Sequence, residues 1–293
     1  VQPFLFRTLD GMMGIAHNGN IVNANLLKKE LEENGSIFNS TSDTEVLGHL
    51  IKRETGRFVD RICKSLEKID GAFAFVILVE DALYVARDRY GLRPLSMGRL
   101  PSGGYMFSSE TCALDIAGAE FVRDVEPGEI IRVKDGIIKS KKYTETLPIC
   151  NKLCAMEYIY FSRPDSNLDG INVHTARKTC GKTLFEEAPV EADLVIGVPD
   201  SSISAAIGYS EASGIPYEIG LIKNKYVGRT FIQPTQEMRE RGVRMKLSAV
   251  SSIVKGKRVI MIDDSIVRGT TSKRIVKLLK EAGATEVHVR IAS

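Results

Sequence analysis

One stretch constrains the fold more than any other. Val259-Ile260-Met261-Ile262 is an apolar run ended abruptly by two carboxylates, Asp263 and Asp264. Ser265-Ile266-Val267-Arg268-Gly269 follows. Thr270, Thr271 and Ser272 then open a segment with Ile275, Leu278, Leu279 and Ala282 on one face. Four consecutive apolar residues suit a strand buried on both sides, as in a parallel sheet. The helical spacing that follows supplies the crossover. Polar residues at this junction lie beyond the carboxyl end of the strand, where open α/β sheets bind ligands. Loop amides and a helix N-terminus favour an anion, and Gly269 lets the backbone approach closely. The hydroxyls add donors, and the acids suit ribose hydroxyls, taken directly or through Mg²⁺. A lone Asp-Asp pair reads as a solvated acidic turn; the complete arrangement reverses that reading.

The surrounding sequence supports strand–helix alternation. Strands are expected over 194–198, 217–221, 258–262 and 286–291, with helices over 204–213 and 271–282. Such alternation means an open parallel sheet with helices on its faces. Gly197-Val198-Pro199-Asp200-Ser201-Ser202 joins the first strand to the first helix. By itself Pro-Asp-Ser-Ser is also a common turn and cap. Residues 223–246 hold seven basic residues and two acidic ones. This cluster accounts for the basic excess of the second half and suits a phosphorylated small molecule as well as a polynucleotide.

Before residue 150 the pattern differs. A helix is expected over 23–34, with Leu27 and Leu31 on one face and Gly35 as its C-terminal cap. Ser42-Asp43-Thr44-Glu45 has capping-box spacing ahead of Val46, Leu47, Leu50 and Ile51. Strands are expected over 72–79, 82–87 and 105–108, with Glu80-Asp81 turning between the first two. A hairpin is expected across Lys134-Asp135-Gly136. Clustered strands and helices without regular alternation indicate an α+β domain. The expected division is therefore 1–149 and 150–293.

Composition excludes several classes. With 43% apolar and 26% charged residues the chain suits a globular protein rather than a disordered one. The longest near-continuous apolar run, 72–79, is far short of the ~20 residues that span a bilayer, and no secretory signal opens the chain. The chain does not begin with Met, which reads as processed, trimmed or incomplete. Five scattered cysteines fit a reducing cytoplasm better than a disulfide framework. A net charge of +3 is too small to imply nucleic acid. Gly181-Lys182-Thr183 echoes the end of a phosphate-binding loop, but no strand precedes it, so it reads as helix. His17 and His174 read as structural.

The segment 259–272 resembles the phosphoribosyl-pyrophosphate (PRPP) motif of type I phosphoribosyltransferases. The resemblance implies that Asp263 and Asp264 address the ribose and Mg²⁺, while Ser265, Arg268, Gly269, Thr270, Thr271 and Ser272 hold the 5-phosphate. It implies that the 197–202 loop receives pyrophosphate, with Ser201 near the metal. Residues 223–246 resemble the loop that closes over PRPP, with Lys225, Tyr226 and Arg229 in the lid. A solvated basic loop is the alternative.

His17-Asn18-Gly19-Asn20 and Ser42-Asp43-Thr44-Glu45 resemble the glutaminase domain of N-terminal-nucleophile amidotransferases. Asp70-Gly71-Ala72-Phe73-Ala74 and Arg87-Asp88-Arg89-Tyr90-Gly91-Leu92-Arg93-Pro94-Leu95 extend the match. Without that resemblance Asn-Gly is a turn and Asp43 sits in a helix cap. With it, Asn18 and Gly19 occupy oxyanion positions and Asp43 binds the glutamine amino group.

Taken together, the two halves resemble the glutamine phosphoribosylpyrophosphate amidotransferases. That family implies an αββα N-terminal-nucleophile domain followed by an α/β phosphoribosyltransferase domain with a mainly parallel sheet. It implies a cytoplasmic, homo-oligomeric enzyme of purine synthesis that uses PRPP, glutamine or ammonia, and Mg²⁺. Ammonia would travel through an internal channel and displace pyrophosphate from C1, giving 5-phosphoribosylamine. In the family the nucleophilic Cys lies before the residue matching Val1, so the chain from Val1 is expected to use ammonia but not glutamine. Some members carry an iron–sulfur cluster. Cys154 matches one ligand position, with the others beyond Ser293. A PRPP-sensing regulator on the same fold is the rival reading, which the glutaminase-like half disfavours. A different glutamine amidotransferase is disfavoured by the PRPP motif.

Overall fold

The computed structural model describes residues 2–8, 11–224 and 247–293. The lid residues Lys225, Tyr226 and Arg229 lie outside the described residues. The chain forms two compact units, Val1–Glu157 with Asn167–Asp169, and Tyr158–Ser166 with Gly170–Ser293.

The first unit is built on an antiparallel sheet of six strands. In spatial order these are β1 (Phe4–Thr8), β2 (Gly11–Ile21), β3 (Gly71–Val79), β4 (Ala82–Arg87), β8 (Glu129–Lys134) and β9 (Ile137–Lys142). Side chains alternate across it. Phe73, Phe75 and Ile77 of β3 face one side with Met13 and Ile15. There they pack against α1 (Ala24–Glu33), α2 (Thr44–Arg53) and α3 (Phe58–Glu67) through Leu31, Leu47, Ile51, Ile62 and Leu66. Ala74, Val85 and Ile131 face the other side and meet Leu95, Met97 and Val125. Met97 belongs to a second sheet, β6 (Tyr105–Ser108), β5 (Ser96–Arg99) and β7 (Glu120–Asp124). Its neighbour Gly98 faces the opposite way, toward Leu114 of α4 (Thr111–Ile116). The layers are thus helix, sheet, sheet, helix.

Asn18 and Gly19 are not in a turn. They lie inside β2, opposite Ala74 and Phe73 of β3. Gly19 has φ +150°, and a Cβ there would run into the carbonyl of Ala72, so this crossing demands glycine. The hairpin joining β8 to β9 turns on Asp135 and Gly136, both with positive φ.

After β9 come two strands of two residues each, β10 (Asn167–Leu168) and β11 (Ile171–Asn172). The second unit holds a parallel sheet of β12 (Leu194–Gly197), β15 (Arg258–Asp263) and β16 (Glu286–Ile291). Alternate residues of the two central strands enter separate cores. Leu194, Ile196, Val259 and Met261 pack with Ile275 and Leu279 of α8 (Thr270–Glu281). Val195, Ile260 and Ile262 pack with Ala205, Ala206 and Tyr209 of α6 (Ile203–Ser213). Helices therefore cover both faces, which is why the strands read as unbroken apolar runs. Gly181 of α5 (Val173–Glu187) lies against the backbone of Ala205, and Gly208 against that of Lys178, leaving no room for a Cβ at either place.

Two local expectations are corrected. Residues 217–221 do not form a strand: Tyr217 makes one parallel bridge to Val195, and pairing resumes in β13 (Leu221–Lys223). That strand runs antiparallel to β14 (Leu247–Ala249), which leads into α7 (Ser251–Val254). The capping box of α2 does not form either. Asp43 is the N-cap residue and makes no side-chain cap bond, while Glu45 reaches back to residues 39 and 40.

Candidate functional site

In the second unit, the carboxyl ends of β12 and β15 lie side by side, with Gly197 opposite Ile262. The loops that follow them converge. Ser201 Oγ donates to Asp264, and Ser202 Oγ lies 3.4 Å from Asp263 Oδ1. The Asp264 amide donates to Asp263 Oδ1 at 3.0 Å, and Ser265 Oγ donates to Asp264 Oδ1 at 2.7 Å. The backbone around the pair is fixed from both neighbouring strands: Val198 N–H bonds Ile262 O, and Ala292 N–H bonds Asp263 O, each at 2.9 Å.

Both acids are 8% exposed. Their partners are hydroxyls and one amide; among the described residues no cationic side chain pairs with either. Burial, and then the charge of Asp264 beside it, push the Asp263 carboxyl above its ordinary value. The pair therefore gains from an incoming cation or hydroxyl donor.

Beyond it, Gly269 takes φ +68° as the N-cap of α8, with Thr270, Thr271 and Ser272 in the first turn. First-turn amides have no partner within their own helix. Arg268 and Thr271 are exposed, Ser272 is buried, and Val267 is 90% exposed. The candidate residues from Ser201 to Ser272 thus collect at one edge of the sheet. Beside it, Pro199, Asp200, Tyr217, Ile222 and Lys223 line a cleft of 870 Å³. Lys223 Nζ bonds Asp200 Oδ2 at 2.5 Å, a pairing that the sequence did not reveal.

In the first unit, Asp43 Oδ2 accepts the Ile21 amide at 2.8 Å, joining the start of α2 to the end of β2. Asn18 Nδ2 donates to Ser109 Oγ at 3.0 Å. His17 is 2% exposed in its side chain, stacks on Phe75 at 4.4 Å, and places Nδ1 3.1 Å from Thr44 Oγ1 and 3.9 Å from Asp43 Oδ1. Burial holds the imidazole below its ordinary pKa, against the pull of Asp43. Asn18, Gly19 and Asp43 therefore share the end of β2. Ser109 was missed, because its partner lies 91 residues away. The 87–95 segment is scaffold: Arg87 donates to the carbonyls of Gly91, Arg93 and Val125, and Asp88 accepts amides from Phe73, Tyr90 and Leu92.

Cys154 is half-buried, with its amide 3.2 Å from the Leu92 carbonyl. Among the described residues no group of three or more His, Cys, Asp and Glu could hold a metal, so they assemble no cluster site. The Asp263–Asp264 pair with the Ser201 hydroxyl instead offers oxygen ligands of the kind a hard divalent cation takes. Among the described residues no helix is long and apolar enough to cross a membrane.

Comparison with known proteins follows the same division. A glutamine amidotransferase domain matches residues 1–115, and a phosphoribosyl transferase domain matches residues 175–292. The amidophosphoribosyltransferase of Bacillus subtilis is 62% identical over 296 residues, covering all of this chain and 61% of that protein. Along its whole length the chain is similar to the amidophosphoribosyltransferases. That of Staphylococcus aureus is 56% identical over 294 residues, covering all of the chain and 59% of the relative. The solved glutamine PRPP amidotransferase of B. subtilis, complexed with ADP and GMP, superposes with a TM-score of 0.92 at 61% identity. It covers the whole chain and 64% of that structure. The chain spans about three fifths of the length of these amidophosphoribosyltransferases.

Proposed function

We propose that the chain transfers ammonia to C1 of PRPP, releasing pyrophosphate and forming 5-phosphoribosylamine in the cytoplasm, as part of a protein that derives the ammonia from glutamine. The observation that carries this is the meeting of Ser201 with Asp264, which closes two strand-end loops on a buried acid pair that no cationic side chain among the described residues joins.

Asp263 and Asp264 take the ribose hydroxyls and, with Ser201, hold Mg²⁺. When bound, that ion would neutralise charge on the departing pyrophosphate. Ser265 to Ser272 and the open amides of α8 hold the 5-phosphate. Lys223, beside Asp200, offers a cation to the leaving group. The ammonia lone pair attacks C1 as the C1–O bond to pyrophosphate breaks, and the new ammonium then loses a proton. In the first unit Asp43 binds the glutamine amino group. Asn18 keeps one amide hydrogen free of Ser109, because its NH₂ group has two donors. That hydrogen and Gly19 serve a developing oxyanion.

The test is pyrophosphate release from Mg-PRPP with ammonium supplied. Turnover that disappears when ammonium is withheld is expected. PRPP binding without pyrophosphate release would favour the sensing reading instead.

A further inference from the structure

Glu45 is an acid the proposed reaction does not use, and its expected capping role is not what the structure shows. It sits in the first turn of α2, two residues after Asp43, and is 3% exposed. Its carboxylate turns back onto the loop that delivers Asp43. Oε1 accepts the Asn39 amide at 2.9 Å, and Oε2 accepts the Ser40 amide at 2.9 Å and the Ser40 hydroxyl at 2.6 Å. His49, one turn on, closes the remaining side at 3.7 Å from Oε1, held between Phe6 and Phe38. Burial pushes the Glu45 carboxyl up, but the three bonds outweigh burial and hold it below its ordinary value, so it is ionised when it grips the loop.

Asp43 is therefore fixed from two directions. Ile21 of β2 bonds its carboxylate directly, and Glu45 anchors the backbone three and four residues before it. Without the Glu45 grip, residues 39–42 keep the short-range bonds of Ser42 to Ser40 and of Thr44 to Ser42, and one bond from further off, from Lys28 Nζ to the Ser40 carbonyl at 3.1 Å. A positioned charge loses effect quickly when its supporting contacts are loosened.

We infer that Glu45 is a positioning residue that sets Asp43 for the α-amino group of the amino-acid substrate. This rests on the reading of Asp43 as the amino-group site. A carboxylate shifted by about 1 Å loses up to ~100-fold in effect. The expected loss is about tenfold for Glu45→Gln, which keeps one acceptor oxygen, and larger for Glu45→Ala.

The experiment is calorimetric titration of the chain with L-glutamine and with glutaramate, which is glutamine without its α-amino group. Wild type is expected to prefer L-glutamine. Glu45→Gln is expected to weaken L-glutamine binding toward that of glutaramate, with glutaramate affinity unchanged. Equal weakening for both ligands would show a general structural role and overturn the inference, as would no weakening. A wild type that does not distinguish the ligands would instead overturn the reading of Asp43, and the inference with it. Ser40→Ala removes one hydroxyl bond and keeps both amides, so it serves if Glu45→Gln does not fold. It is expected to shift the preference the same way by about threefold, and an unchanged preference would overturn the inference.

Discussion

The acids of the two units are held in opposite ways. In the first unit Asp43 and Glu45 are met by five donors from the protein itself: three backbone amides and the hydroxyls of Ser40 and Thr44. In the second, Asp263 and Asp264 lie side by side, buried, with hydroxyls and one amide between them. Neutral donors can fully occupy a separated carboxylate. They cannot offset repulsion between adjacent ones in a poorly solvated pocket. Glu45 is satisfied before any ligand arrives, whereas the Asp263–Asp264 pair is completed by one.

The largest expected effect breaks the second arrangement. Asp264→Asn removes a charge that the cation needs and should weaken Mg-PRPP binding by about 1–3 kcal/mol, or roughly tenfold to a hundredfold. Calorimetry measures it, and unchanged affinity would remove Asp264 from the site. Next, Glu45→Ala strips an acceptor from two amides and a hydroxyl. It should destabilise the first unit by about 2 kcal/mol, seen as a lower urea midpoint.

Asp263→Asn should act in the opposite direction. A carboxyl raised in the folded state favours folding while it is protonated. That contribution is lost as pH rises from the ordinary Asp value through the raised one. At pH 7.5 without Mg²⁺ the variant should therefore be more stable, by about 1 kcal/mol or ~2–4 °C in melting temperature. The gain should vanish below pH ~3.9, where the wild-type group is protonated in both states. Lower stability at pH 7.5 would show that the pair is satisfied without a ligand. The smallest effect concerns Lys223→Ala. The Lys223–Asp200 pair is exposed, so folding stability should change by less than about 0.5 kcal/mol, measured by thermal melting.

The same contrast explains what the sequence could reveal. The elements of the second unit's candidate site are local: the run 259–262, the acid pair and the apolar face of α8 are contiguous, and each carries its own period. Their site residues were legible for that reason. The candidate site of the first unit depends on distant pairing. β2 contains Gly11, Gly14 and Gly19 and shows little alternation, so its eleven residues become a strand only through β1 and β3. Ser109 reaches Asn18 across 91 residues, which no local spacing signals. Ser42-Asp43-Thr44-Glu45 has the right spacing for a capping box, but amides upstream of the helix compete successfully for Glu45. Residues 217–221 have strand-like residues, yet after its bridge to Val195 the chain pairs with β14 instead.

On this reading the Asp263–Asp264 pair is incomplete without a cation-bearing phosphoribosyl ligand. Titration of the chain with PRPP in excess Mg²⁺, and again with EDTA, addresses it most directly. Binding with Mg²⁺ that is lost in EDTA is the expected result. Equal PRPP affinity in both would contradict the account, because the two carboxylates would then be accepting the ligand unaided.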